Sequence, residues 1–181
     1  DIVAIASRTI IDESNLFCGD RILDSKTKAI PDNNYKALTT IITYYECNKE
    51  LLWLFIKNAD IQGLDGKPIK GHKKITEYIR HRPDDVTIKK FTNECTGYWK
   101  ALISQCQEAF EQENNFLKYR GSRGRHIFFR PASLIPFTKA MVKIKEHVDL
   151  SYEQIINKLP KEGMWLQNDR WKNSIGDDVT K

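Results

Sequence analysis

No apolar run in this chain reaches the ~18 residues that a membrane-spanning helix needs, so a spanning segment is not expected. The N-terminus lacks the basic, apolar and small-residue succession of a secretory signal. None of the four cysteines, Cys18, Cys47, Cys95 and Cys106, belongs to a CxxC pair, which removes the usual spacing of a structural zinc site. Without a secretory signal a disulfide framework has no support either. Buried free thiols in a reducing cytoplasm are the expectation. His72, His81, His126 and His147 do not fall into HExxH or HxxEH spacing. There is no GxxxxGK[ST] or GxGxxG phosphate loop and no GxSxG nucleophile elbow. Internal repeats and low-complexity tracts are also lacking. The reading is therefore of no catalytic set, no metal and no cofactor.

What remains is a globular composition. The chain has 181 residues, 40% hydrophobic and 29% charged, with a net charge of +5. That length suits one domain with its own core. A pI near 8.9 is only mildly basic, below the level at which nucleic-acid binding is the default reading. The first residue is Asp1 rather than Met, so a fragment of a longer protein, or a processed one, is expected.

Helical periodicity dominates. Ile2–Ile11 reads as two to three helical turns, with a strand as the alternative because β-branched residues are frequent. Residues 12–34 are irregular, with Leu16-Phe17 and Ile22-Leu23 as anchors. A strong helix is expected to start after Asn33 or Asn34 and carry Tyr35, Leu38, Ile41, Ile42 and Tyr45. It continues to Phe55, either unbroken or jointed near Cys47-Asn48. Residues 58–71 hold three glycines and Pro68, predicting a loop or hairpin. A short helix over Lys73–Arg80 precedes Pro83. Asp84 or Asp85 then caps a long helix whose apolar face runs from Val86 to Phe110 and includes Trp99. Gly97 within it suggests close packing or a bend. His126–Phe129 suggests a short strand. A further helix over Ala132–His147 tolerates Pro136 only in its first turn. Ser151 with Gln154 forms a capping box for a helix reaching Leu159. Residues 172–181 are expected to fray. The fold expected is mainly α, a single domain of five to seven helices over residues 1–181 with room for one short β-hairpin.

The sharpest chemical feature is Lys118–Arg130, KYRGSRGRHIFFR. Lys118, Arg120, Arg123, Arg125 and Arg130 stand there without an acid, with Tyr119, Phe128 and Phe129 between them. Arginine forks suit phosphate oxygens, aromatic faces can stack bases, and Gly121 and Gly124 allow close backbone approach. These five cations are the candidate nucleic-acid-binding residues. A solvated basic loop whose aromatics belong to the core is the alternative. A second basic region holds Lys67, Lys70, His72, Lys73, Lys74, Arg80, His81 and Arg82, and an exposed helix surface explains it as well. Asp60 and Asp65 ahead of Lys67 could suggest a metal-dependent nuclease, but loop formation accounts for them more simply.

Three stretches also carry a resemblance. Ser7-Arg8 is followed by Asn15-Leu16-Phe17. Next comes Asn34-Tyr35-Lys36-Ala37-Leu38-Thr39-Thr40. The third is His126-Ile127-Phe128-Phe129-Arg130-Pro131, ahead of an apolar helix, a short helix and a tryptophan-bearing tail. In that order they resemble the C-terminal half of DGQHR-domain proteins, a group that includes DndB-like proteins associated with DNA phosphorothioation and relatives linked to phage defence. The resemblance spans most of the chain. The DGQHR motif itself is absent, and Asp65-Gly66-Lys67 is the nearest string, so no family catalytic residue carries over. The resemblance implies a bacterial, cytoplasmic protein with DNA and other proteins of a DNA-modification or defence system as partners, and no membrane. The function expected is a nucleic-acid-binding or assembly module. One alternative is part of a nucleotide-hydrolysing or DNA-acting enzyme whose pocket Arg123, Arg125 and Arg130 complete. The other is a protein-interaction module without ligand. Far-ultraviolet circular dichroism should show helix dominating, and a strand-dominated spectrum would contradict the fold class.

Overall fold

Asp1 begins the first helix by capping it. Its carboxylate accepts the N–H groups of Val3 and Ala4 at 2.9 and 3.0 Å, satisfying two of the donors that a helix start leaves open. That cap, with Val3, Ala6, Ser7 and Ile10 buried at helical spacing, makes Ile2–Glu13 a helix (α1) despite its β-branched content. The computed structural model describes residues 1–17, 21–31, 34, 36–63, 65–111, 115–120 and 126–166. Cys18, Arg123, Arg125 and the tail from 167 lie outside the described residues.

Mainly α architecture is what the chain adopts, with eight α-helices among the described residues. One differs clearly from expectation at its start. The helix expected from Asn34 begins at Ile41 and runs unbroken to Asn58 (α2). Asn34 caps a turn instead, its carboxamide accepting the N–H groups of Lys36 and Ala37 at 3.1 and 2.9 Å. Thr39–Thr40 (β2) then pairs in parallel with Ile22–Leu23 (β1), and Thr40 caps α2. The sheet is thus a parallel pair rather than a hairpin. A hairpin-like turn lies in the 58–71 loop, where Gln62 and Pro68 form an antiparallel bridge and Gly66 takes φ +67°.

His72–Arg80 (α3) matches the short helix. Asp84 caps Asp85–Ser104 (α4) through the Thr87 N–H at 2.8 Å. The expected helix differs at both ends, although Cys106 and Phe110 still pack against the core. Val86 is 63% exposed, because two residues before Ile88 is about 200° around the helix from the buried face. The helix also stops at Ser104, and Gln107–Glu111 (α5) is separate. Gly97 sits in open space: a Cβ there would meet nothing within 4 Å, so close packing does not account for it.

Asn115–Arg120 (α6) precedes the basic stretch. His126–Phe129 is not a strand. Ile127–Phe129 forms a 3-10 turn, and only His126 makes an antiparallel bridge, with Trp165. Pro131–Lys145 (α7) starts with proline at its first position, and Pro136 falls beyond the first turn, inside the helix. There it removes the N–H that would otherwise bond the Ala132 carbonyl. Tyr152–Asn157 (α8) carries both halves of the capping box, Ser151 with Gln154, and ends two residues earlier than expected.

The core gathers on α4. Trp99 is fully buried and donates its indole N–H to Asn48 Oδ1 at 2.8 Å. The Asn48 amide nitrogen donates to Ser7 Oγ at 2.9 Å. One hydrogen-bond chain therefore joins α1, α2 and α4. Phe17 and Tyr44 pack their rings on Trp99 at 5.7 and 4.8 Å, so the 3-10 turn over Asn15–Phe17 is anchored in the core. Tyr98 and Thr138 hydroxyls meet at 2.7 Å to hold α7, and Tyr152 donates to Glu94 at 2.7 Å to hold α8. Cys47, Cys95 and Cys106 are buried free thiols. No described helix is long and apolar enough to cross a membrane.

Trp99→Ala should cost roughly 3–5 kcal/mol in urea unfolding, as for a fully buried large side chain. Asn48→Ala should cost about 2–4 kcal/mol by stranding the indole N–H in the core. Val86→Ala should change stability by less than ~0.5 kcal/mol. A Trp99→Ala loss below about 1 kcal/mol would contradict the buried placement.

Candidate nucleic-acid interface

The five cations nominated from sequence do not occupy equivalent positions. Lys118 is exposed in the last turn of α6. Arg120, half-buried, turns inward and donates from Nη1 to the carbonyls of Asn34 and Ala37 at 2.9 and 2.7 Å. Arg130, also half-buried, donates from Nη2 to the Arg120 carbonyl at 3.2 Å. Arg123 and Arg125 lie outside the described residues. Two of the five are therefore engaged with backbone, and the group best placed to face a ligand among the described residues is Lys118.

A further arginine had no signal in the sequence. Arg21 donates to the Lys36 carbonyl at 3.1 Å, and its guanidinium lies 4.1 Å from the Phe116 ring centroid. Arg21 and Arg120 together bind the carbonyls of Asn34, Lys36 and Ala37. A planar guanidinium can both fork onto carbonyls and stack on a ring, which suits this half-buried position.

The aromatics of the stretch are core residues. Phe128 and Phe129 are fully buried and Tyr119 nearly so. Phe129 packs on Phe116 at 4.8 Å and on Tyr119 at 5.1 Å. They are not stacking platforms open to an incoming base. What they build is a rigid footing for the basic stretch. The His126 N–H donates to the Tyr119 carbonyl at 2.8 Å, so the residues on either side of the basic stretch are tied to each other. The Tyr119 and His126 rings pack at 5.4 Å, and both pack on Trp165.

His126 is buried, and that burial pulls its pKa down to about 4, so the ring is neutral at neutral pH. Its Nδ1 accepts the Phe128 N–H at 3.3 Å, which leaves the ring proton on Nε2. Cys106 Sγ stands 3.9 Å from Nδ1 and 3.8 Å from Nε2. Nearly equal distances to both nitrogens describe a sulfur packed against the ring, not a bond along a lone pair. Burial also pushes the Cys106 thiol up to about 12. Both groups are neutral, the opposite of an activated thiolate–imidazolium pair.

The second basic region behaves as an exposed surface. Lys67, Lys70, Lys73, Arg80, His81 and Arg82 are exposed. Lys74 pairs with Asp65 at 3.0 Å and Arg82 with Asp85 at 3.0 Å. Asp65 also accepts the Lys67 N–H, so it orders a turn; these hydrogen bonds hold its carboxyl below the usual range. Among the described residues no cluster of three or more His, Cys, Asp or Glu could hold a metal ion.

Two measurements check this placement. Arg120→Ala should destabilise the fold by about 2–3 kcal/mol, because charged hydrogen bonds to two carbonyls are lost. Lys118→Ala should stay within ~0.5 kcal/mol of wild type. Equal effects would contradict the division. His126 titrates near 4 when folded against 6.5 for an exposed imidazole. Above pH 6.5 both states are neutral and stability is complete. As pH falls from 6.5 towards 4 the unfolded chain takes up a proton that the folded one refuses, and roughly 3 kcal/mol is lost. The urea midpoint should drop across that window in wild type and much less in His126→Gln. Parallel pH profiles would contradict the buried neutral ring.

Compared with protein-family models, curated proteins and solved structures, the chain has no match.

Proposed function

We propose that this chain is a helical nucleic-acid-binding module that uses Lys118, Arg123 and Arg125 to bind phosphates. The observation that carries the reading is the footing of the acid-free basic stretch. Its ends are joined by the His126–Tyr119 hydrogen bond over a packed aromatic base. Arg120 and Arg130 serve that footing through their bonds to backbone carbonyls. A cationic segment held at both ends loses less entropy on meeting a phosphate backbone than an untethered one would. The sequence resemblance to DGQHR-domain proteins adds a setting, bacterial DNA modification or phage defence, in which such a module would act beside an N-terminal catalytic portion.

Binding of this kind is electrostatic and weakens steeply with salt through counterion release. Fluorescence anisotropy with short single- and double-stranded DNA at several salt concentrations tests it. Arg123→Ala/Arg125→Ala should weaken all sequences about equally and reduce the salt slope by about two, roughly one for each phosphate-binding arginine removed. No binding by wild type at low salt, or an unchanged affinity and slope in the double variant, would refute the reading. The chain would then serve as a scaffold for assembly.

A further inference from the structure

We infer that Arg21 is a positioning residue for the basic stretch: it seats α6, the helix that leads into the stretch, without itself binding phosphate. The inference rests on the phosphate-binding reading above and adds to it the residue that orders the start of the cationic segment.

α6 cannot hold itself. It runs for six residues, Asn115–Arg120, well below the ~12–15 at which an isolated helix becomes even marginally stable in water. Its order comes from what it packs against. Phe116 and Tyr119 are buried. Phe116 packs on Phe129 at 4.8 Å and meets Phe110 of α5 edge-on at 5.3 Å. The Arg21 guanidinium lies over this ring pair, 4.1 Å from the Phe116 centroid and 5.4 Å from that of Phe110.

Arg21 is in turn fixed through its backbone. Its carbonyl accepts the Leu38 N–H at 2.7 Å, just ahead of the pairing of Ile22 with Thr39. Its side chain donates to the Lys36 carbonyl at 3.1 Å. The guanidinium therefore bridges the β1–β2 pair and the 34–37 turn to the rings of α5 and α6. Arg120 makes the reciprocal link, from the last residue of α6 to the carbonyls of Asn34 and Ala37. Two arginines thus tie α6 to one turn, near its start through Phe116 and at its end through Arg120. A planar guanidinium can stack on a ring and donate in its own plane at once, which a lysine ammonium does not reproduce. Half-buried and engaged in this way, Arg21 serves the seat of the stretch rather than a phosphate. A cationic segment with an ordered root loses less entropy on binding.

Fluorescence anisotropy on the whole chain over a range of salt concentrations separates positioning from contact. Arg21→Gln and Arg21→Lys should each weaken DNA binding by about tenfold, the scale of the order lost at one binding segment, with the salt slope unchanged. Phe116→Leu removes the ring beneath the guanidinium and should act in the same way. Arg21→Gln combined with Phe116→Leu should bind no more weakly than the weaker single variant, because both break one contact. Amide hydrogen exchange over residues 115–120 should quicken in Arg21→Gln. Circular dichroism at the assay temperature confirms that the variants are folded. A phosphate contact gives a different pattern: Arg21→Gln lowers the slope by about one and Arg21→Lys binds as wild type does. That pattern would overturn the inference. Unaltered affinity in both Arg21 variants beside a lowered urea midpoint would overturn it too, leaving Arg21 a residue of the fold alone. Either result leaves the phosphate-binding reading standing, whereas a wild type that binds no DNA at low salt removes both.

Discussion

Everything in this fold is arranged around the burial of the Trp99 indole. A fully enclosed indole N–H has to find an acceptor, and the acceptor is Asn48 on the neighbouring helix. Asn48 is itself enclosed, so its amide nitrogen needs an acceptor in turn, which Ser7 supplies. Three polar groups thereby fix the mutual register of three helices that apolar contact alone would leave free to slide. Phe17, Tyr44 and Tyr98 close around the same indole, so the irregular N-terminal segment and the α7 contact are set from the same point.

The positive charge of the chain separates by burial. Arg21 and Arg120 are drawn half inside, because one short turn exposes the carbonyls of Asn34, Lys36 and Ala37 and guanidinium groups satisfy them. Arg130 likewise reaches the Arg120 carbonyl. The lysines of α3 and of the preceding loop remain mostly in solvent, beside Asp65 and Glu77. Arginine at a half-buried carbonyl and lysine at the surface is the division expected from their hydration and donor geometry.

How legible this was depended on the range of the interactions. The Ser151 capping box, a cap at Asp84 or Asp85 and the central burial of Trp99 follow from residues within one or two helical turns and are legible in the sequence. The start of α2 was misplaced because Asn34 is as good a turn former as a helix cap, and the deciding partner is the β1 strand far upstream. Val86 was assigned inward because an apolar residue was counted without its angular position. His126–Phe129 looked like a strand from its apolar run, yet His126 bends the backbone by accepting the Phe128 N–H on its own ring. In the candidate site, the cationic character of the stretch was readable, but the inward roles of Arg120 and Arg130 were not. Their partners lie at a turn more than eighty residues away and at a carbonyl ten residues back. Arg21 gave no local signal, since Phe116 and the Lys36 carbonyl become its neighbours only after folding.

The hydrogen bond from His126 to the Tyr119 carbonyl has a consequence for how such a chain can diversify. Once Tyr119 and His126 are tied together, the sequence between them can lengthen or change composition without altering that tie. Closure entropy grows only slowly with length, by ~0.6 kcal/mol per doubling. The position is thus a natural grafting point, where the sequence can be rewritten while the scaffold stays as it is.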